Sequence, residues 1–270
     1  MIRDITIGQY YQADSFIHKL DPRTKLIGTI IYIISLFLVK NVVGYVFTAL
    51  FLAAIIKISK VPFSFIIRGL RAILVILLIT VAFNLFLTPG QEVVSFWIFR
   101  ITKEGIKVSV FMAIRLVFLI IGCSLMTLTT TPNNLTDGME KLLKPLSKIK
   151  VPVHEVAMMM SIALRFIPIL LEETDKIMKA QIARGADFES GNLIKKVKSM
   201  VPILVPLFVS AFRRANDLAM AMEARCYQGG EGRTKMKPLV YTQNDGTAYI
   251  VLLLYMIITI LIRKLVVLPF

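Results

Sequence analysis

The chain has 270 residues, 56% of them hydrophobic, and its 32 Lys and Arg against 17 Asp and Glu leave a net charge of +15. Soluble domains average about 45–50% apolar residues, so an excess gathered in long runs excludes an ordinary soluble domain and points to an integral membrane protein. The same runs assign the surplus positive charge to loops beside a bilayer rather than to a nucleic-acid surface. Two cysteines, Cys123 and Cys226, supply neither a disulfide framework nor a zinc spacing.

The first 25 residues hold HKLDPRTKL (18–26) instead of an apolar core with a cleavage site, so no cleaved signal peptide is expected. Asp21 is placed to cap a helix and Pro22 to occupy its first turn. Five segments then read as membrane spans: 24–39, 42–58, 69–87, 108–129 and 248–262. The first is short, and Lys25 and Lys40 at its ends extend it by snorkelling. Within the spans, Arg115 lies near the outer end and is expected to snorkel, and Asn84 to bond a neighbouring helix.

Segment 131–247 reads as three amphipathic helices outside the membrane. Thr131 caps the first, with Pro132 in its first turn, and Leu135, Met139, Leu142, Leu146 and Ile149 line one face. The next two cover 153–184 and 193–225, separated by DFESGN (187–192). At about 30 residues each they are about 45 Å long. They read as too charged to span and too apolar to lie free in water, so they are expected to pack against each other and under the membrane helices. Seven methionines, Met158, Met159, Met160, Met178, Met200, Met220 and Met222, read as core filling, with an adaptable partner surface as the other reading. Lys and Arg concentrate in the first 25 residues, 57–71 and 131–247, which sets the N-terminus inside and the C-terminus outside.

Both long amphipathic helices end alike. QIARGADFE (181–189) holds Ala183, Arg184 and Gly185; EARCYQG (223–229) holds Ala224, Arg225 and Cys226. One such arginine is explained by the helix dipole, with glycine as the residue after the cap. The repetition favours a docking role, because a planar guanidinium pairs bidentately with carboxylates.

In order along the whole chain, HKLDPRTKL at the first span and Ala-Arg-Gly and Ala-Arg-Cys closing two helices before a last span resemble the transmembrane T component of energy-coupling factor (ECF) transporters. The resemblance implies two ABC-type ATPase subunits with one motif arginine docked on each, and a separate membrane-embedded S component that binds a vitamin or metal ion. It implies that Arg184 and Arg225 couple the chain to the ATPases, with Ala183, Gly185, Ala224 and Cys226 as their close-packed neighbours. Cys226 departs from the motif's glycine, which leaves the turn after Arg225 open to differ and, if exposed, the thiol open to oxidation.

The expected protein is therefore an all-α integral membrane protein of a bacterial cytoplasmic membrane. Residues 1–130 hold four spans, 131–235 the coupling helices and 236–270 the last span. No G-x-x-x-x-G-K-[ST] loop occurs, so no cofactor is expected on this chain and ATP belongs to the partner subunits. The alternatives are a membrane enzyme acting on lipid or prenyl substrates and a basic membrane scaffold. Glu172-Glu173 lacks the arginine three residues on that a prenyl-protein protease would carry, and Asp137-Gly138 lacks the further aspartates of a phosphatidyl transferase. A scaffold needs only net charge, not a doubled arginine.

Overall fold

A computed structural model of the chain describes residues 10–96, 99–186, 188, 192–229 and 235–265. The expected break at 187–192 and the end of the segment 236–270 fall partly outside them. The chain divides into two compact units, residues 8–141 with 239–270 and residues 142–238.

The first unit holds α1 (Pro22–Leu38), α2 (Val42–Ser59), α3 (Phe63–Leu87), α4 (Lys103–Thr129), most of α5 (Pro132–Leu143) and the chain's last helix, here α8 (Gln243–Leu265). Between α3 and α4 an antiparallel hairpin, β1 (Glu92–Phe96) with β2 (Phe99–Thr102), occupies what reads as a plain loop; the register pairs Phe96 with Phe99 and shifts between Glu92 and Val94. Its last residue, Thr102, starts α4 by accepting from the Gly105 N–H at 2.9 Å while its hydroxyl donates to the Thr88 carbonyl at 2.9 Å. A Cβ on Gly105 would lie 2.9 Å from the Leu85 carbonyl oxygen, so glycine lets α3 and α4 close here.

The core of this unit is built on Tyr255 of α8. Its ring stacks on Phe51 at 4.0 Å and Phe47 at 5.6 Å, and its hydroxyl meets Ser35 Oγ at 2.8 Å. Tyr32 and Leu36 of α1, Leu52 of α2, Val61, Ile66 of α3, and Leu125 and Leu128 of α4 complete the cluster. Arg115 has protein partners: Nε donates to Tyr45 Oη at 3.1 Å and Nη2 to the Val39 carbonyl at 3.5 Å, just past the end of α1. Asn84 does not bond a neighbouring helix. Its Nδ2 donates to the Thr80 carbonyl of α3 itself at 2.8 Å, because the acceptor one turn back is already within reach.

The second unit is a pair of 31-residue helices, α6 (Val153–Ala183) and α7 (Leu193–Glu223), preceded by a 3-10 turn, Lys144–Ile149. They pack antiparallel: Glu173 accepts from Arg214 at 2.9 Å, and Gln181 Nε2 donates to the Pro202 carbonyl at 3.4 Å. That carbonyl is available because residue 206, its normal partner one turn on, is proline and has no N–H. Of the seven methionines none is buried, and Met159, Met160, Met200 and Met220 are exposed, so core filling is not what they do within this chain.

The architecture is an all-α membrane fold. Among the described residues four helices are individually long and apolar enough to cross a bilayer, α2, α4, α6 and α8, or five when α3, bent by 59° between Arg71 and Ile73, counts as one span. This departs from the sequence reading twice. With 17 residues, α1 is only about 25 Å long and is left out. α6 is included because most of its charges follow Leu171 and its first 18 residues carry only Glu155 and Arg165.

Candidate functional site

Both repeated motifs fold into the same helix ending. After α6, the Ala186 N–H donates to the Gln181 carbonyl at 3.0 Å and the Gly185 N–H to the Ile182 carbonyl at 2.9 Å. After α7, the Tyr227 N–H donates to the Met222 carbonyl at 3.1 Å and the Cys226 N–H to the Glu223 carbonyl at 2.8 Å. Each pair is a six-to-one bond enclosing a five-to-two bond, the Schellman arrangement, and it consumes carbonyls that a helix end leaves unpaired. The residue after each arginine takes the left-handed conformation this requires: Gly185 at φ +88° and Cys226 at φ +55°. The turn after Arg225 is therefore the same as that after Arg184. Cysteine adopts it at a cost of about 1–2 kcal/mol, because its Cβ crowds the following carbonyl.

Ala183, Arg184, Gly185, Ala224, Arg225 and Cys226 are all exposed. Among the described residues neither motif guanidinium forms an ion pair, whereas Arg214 between the helices is neutralised by Glu173. The antiparallel packing does not bring the two motifs together. Arg225 lines a cavity of about 710 Å³ with Ser161 and Arg165, in the first half of α6. Arg184 stands 19 residues beyond Arg165, about 29 Å along the helix at 1.5 Å per residue. Two equivalent, exposed guanidinium groups thus mark opposite ends of one helical hairpin.

HKLDPRTKL builds a different kind of site, within the first unit. Asp21 Oδ1 accepts from the Arg23 N–H at 2.8 Å and from Nε at 2.9 Å, and Oδ2 accepts from Nη2 at 2.8 Å. The Arg23 guanidinium lies 3.8 Å over the Tyr241 ring. Lys25 Nζ donates to the Thr129 carbonyl at 2.8 Å, a favourable cation at the C-terminal end of α4. Asp245 joins α8: Oδ1 accepts from the Asp21 N–H and Oδ2 from the Thr242 N–H and hydroxyl, each at 2.8 Å. His18 Nε2 donates to the Tyr11 carbonyl at 2.9 Å while Nδ1 meets Ser15 Oγ at 2.7 Å. Burial holds the imidazole pKa below its usual 6.5, against the pull of the Tyr11 carbonyl.

Two participants escaped sequence reasoning. Asp245, 1% exposed, is invisible as a partner of Asp21 because 224 positions separate them, although Thr242-x-x-Asp245 is itself a capping pattern. Arg165 interrupts an apolar stretch and carried no motif. Among the described residues no group of three or more His, Cys, Asp or Glu could hold a metal ion.

Residues 13–236 match the family model CbiQ, described as cobalt transport protein. The chain is 60% identical over 265 residues to the energy-coupling factor transporter transmembrane protein EcfT of Clostridium kluyveri, covering 97% of this chain and 98% of that one. It is 57% identical over 245 residues to the protein of the same name from Ruminiclostridium cellulolyticum, covering 91% and 92%. The Bacillus subtilis protein of that name is 50% identical over 254 residues, covering 94% and 96%.

Proposed function

We propose, from the premise that this chain belongs to the CbiQ family of energy-coupling factor transporter transmembrane components, that it carries ATP-driven movement from two ABC-type ATPase subunits to a membrane-embedded S component. The chain is a membrane component of a transporter and not an enzyme. ATP belongs to the ATPases, and the vitamin or metal ion taken up belongs to the S component.

The observation that carries this reading is the pair of matched helix ends. Arg184 and Arg225 leave identical turns, both exposed, at opposite ends of one hairpin. About 29 Å along α6 separates Arg184 from Arg165 beside the cavity that Arg225 lines, which leaves room for a separate ATPase subunit at each motif arginine. When the ATPases close on ATP, the two ends are drawn together, and α6 and α7 must change their mutual angle. Pro168 in α6 and Pro202 and Pro206 in α7 remove backbone hydrogen bonds along the way, which makes each helix easier to bend. That α6 and α7 lie outside the membrane is supported by the charges of α7, Lys195, Lys196, Lys198, Arg213 and Arg214, and by the Glu173–Arg214 pair that binds α6 to it.

The Asp21–Asp245 contact supports the topology. It puts the starts of α1 and α8 on one face, with the end of α4 joined to them through Lys25. The Lys and Arg excess supports reading that face as the cytoplasmic one, with the N-terminus inside and the C-terminus outside. The reading is tested by purifying the tagged chain from its native membrane. Two ATPase subunits and an S component should co-purify, and ATPase retention should depend on Arg184 and Arg225. A chain recovered alone, with nutrient uptake intact after its deletion, would overturn it.

A further inference from the structure

The cavity at the end of α7 holds a second guanidinium that no motif announces. Arg165 projects from α6 into the same 710 Å³ space that Arg225 lines, with Ser161, Cys226, Tyr227 and Gln228 around them. Among the described residues that line it there is no Asp or Glu, and Arg184 is not one of them. Two like charges brought to one cavity repel each other, and among the described residues of its wall no carboxylate offsets them. Within the same hairpin Arg214 has its Glu173 at 2.9 Å, so a local counter-ion was available to this fold and is used where a cation serves the packing.

We infer that Arg165 and Arg225 together form a two-guanidinium cradle for an acidic segment of a bound ATPase subunit. The inference rests on the coupling function proposed above and divides its two arginines into unlike kinds. Arg184 presents a single cation on an exposed turn. Arg225, exposed like Arg184, instead borders a cavity that the exposed Arg165 also lines, where a bidentate carboxylate contact on each guanidinium would hold two acidic side chains. The hydroxyls of Ser161 and Tyr227 and the amide of Gln228 add further polar groups to the wall. The two ends of the hairpin then prefer chemically different surfaces, so each end selects its own ATPase surface.

The test uses the whole complex, reconstituted with both ATPases. Arg165→Ala should lower retention of one ATPase subunit about tenfold or more and leave the other in place; Arg165→Glu should do worse and Arg165→Lys recover part. Retention should also depend less on salt in Arg165→Ala than in the parent chain, because a salt-screened contact is gone, a change that a packing role would not produce. Should Arg165→Ala fail to fold, Arg165→Gln and Arg165→Lys put the same question. A photo-crosslinker on Cys226, the exposed one of the two thiols, should capture the same subunit on a peptide that contains Asp or Glu. If Arg225→Ala releases an ATPase and Arg165→Ala does not, or the captured peptide has no acidic residue, the cradle is wrong and the coupling function stands. If neither substitution releases anything, the coupling function falls with it.

Discussion

Asp245 Oδ1 accepts a 2.8 Å hydrogen bond from the backbone N–H of Asp21, joining the N-terminal ends of the first and last helices across 224 positions of chain. Both carboxylates sit where helix dipoles favour negative charge. Asp21 keeps Arg23 and Asp245 keeps Thr242, so each acid closes its own cap and the pair closes the unit.

Removing Asp245 is therefore expected to destabilise the protein more than an ordinary cap would. Asp245 is itself 1% exposed, and Asp245→Ala leaves the buried Asp21 N–H without its acceptor, along with the Thr242 N–H at the exposed start of α8. A loss of about 2–4 kcal/mol is expected, beyond the ~1 kcal/mol of a typical cap. Thermal unfolding in detergent measures it, and a melting temperature unchanged from the parent chain would show that the contact contributes nothing.

The same face fixes a topology result. A cysteine placed at Gln243, exposed at the start of α8, should react with a membrane-impermeant maleimide only from the cytoplasmic side, and one at Leu265 only from outside. Labelling of both from one side would mean that α8 does not cross.

The left-handed turn after Arg225 makes a pair of opposite outcomes. Cys226→Gly should stabilise the end of α7 by about 1 kcal/mol, since it relieves an L-residue at φ +55°. Gly185→Ala should cost the end of α6 a similar amount, at φ +88°. Amide exchange of Tyr227 and Ala186, whose N–H groups close the two turns, reads both effects. ATPase retention should be unchanged in Cys226→Gly if the thiol serves only as a small residue.

The motif arginines themselves should act separately. Arg184→Ala and Arg225→Ala are each expected to weaken ATPase association by roughly 2–5 kcal/mol, well over tenfold per site, and the double change should release or uncouple both subunits. Lysine at either position should rescue only part, because it keeps the charge and loses the fork. Lys148→Ala, exposed on the 3-10 turn, controls for bulk charge and should do little. Pull-down and nutrient uptake in the same vesicles give the answer; a double variant that binds and transports normally would reduce the arginines to helix caps.

His18 sets a pH dependence. Burial keeps the folded pKa below 6.5, so the unfolded chain takes up a proton first as the pH falls. The folded state then binds fewer protons than the unfolded one, and stability declines as pH drops below 6.5 until the folded value is reached. Above 6.5 the imidazole is neutral in both states and contributes no slope. Unfolding midpoints measured across that window should fall toward acid in the parent chain and less steeply in His18→Gln.

Much of this protein was legible in short stretches of its sequence because the relevant physics is local. Apolar runs mark helices that suit a bilayer, Asp21-Pro22 marks a helix start, and Arg184-Gly185 marks a helix end, each within a few residues. The doubled arginine was visible for the same reason. What needed the tertiary structure depends on packing between distant segments or on the backbone of one turn. Cys226 gives no sequence sign that it will take glycine's conformation; the bonds from Cys226 and Tyr227 back into α7 impose it. Asn84 satisfied its own helix, because an i−4 carbonyl competes with any neighbour. The separation of Arg184 from Arg225, the convergence of Arg165 on Arg225 and the joining of Asp21 to Asp245 were decided by which helix faces pack together, and periodicity within one helix does not specify its partner.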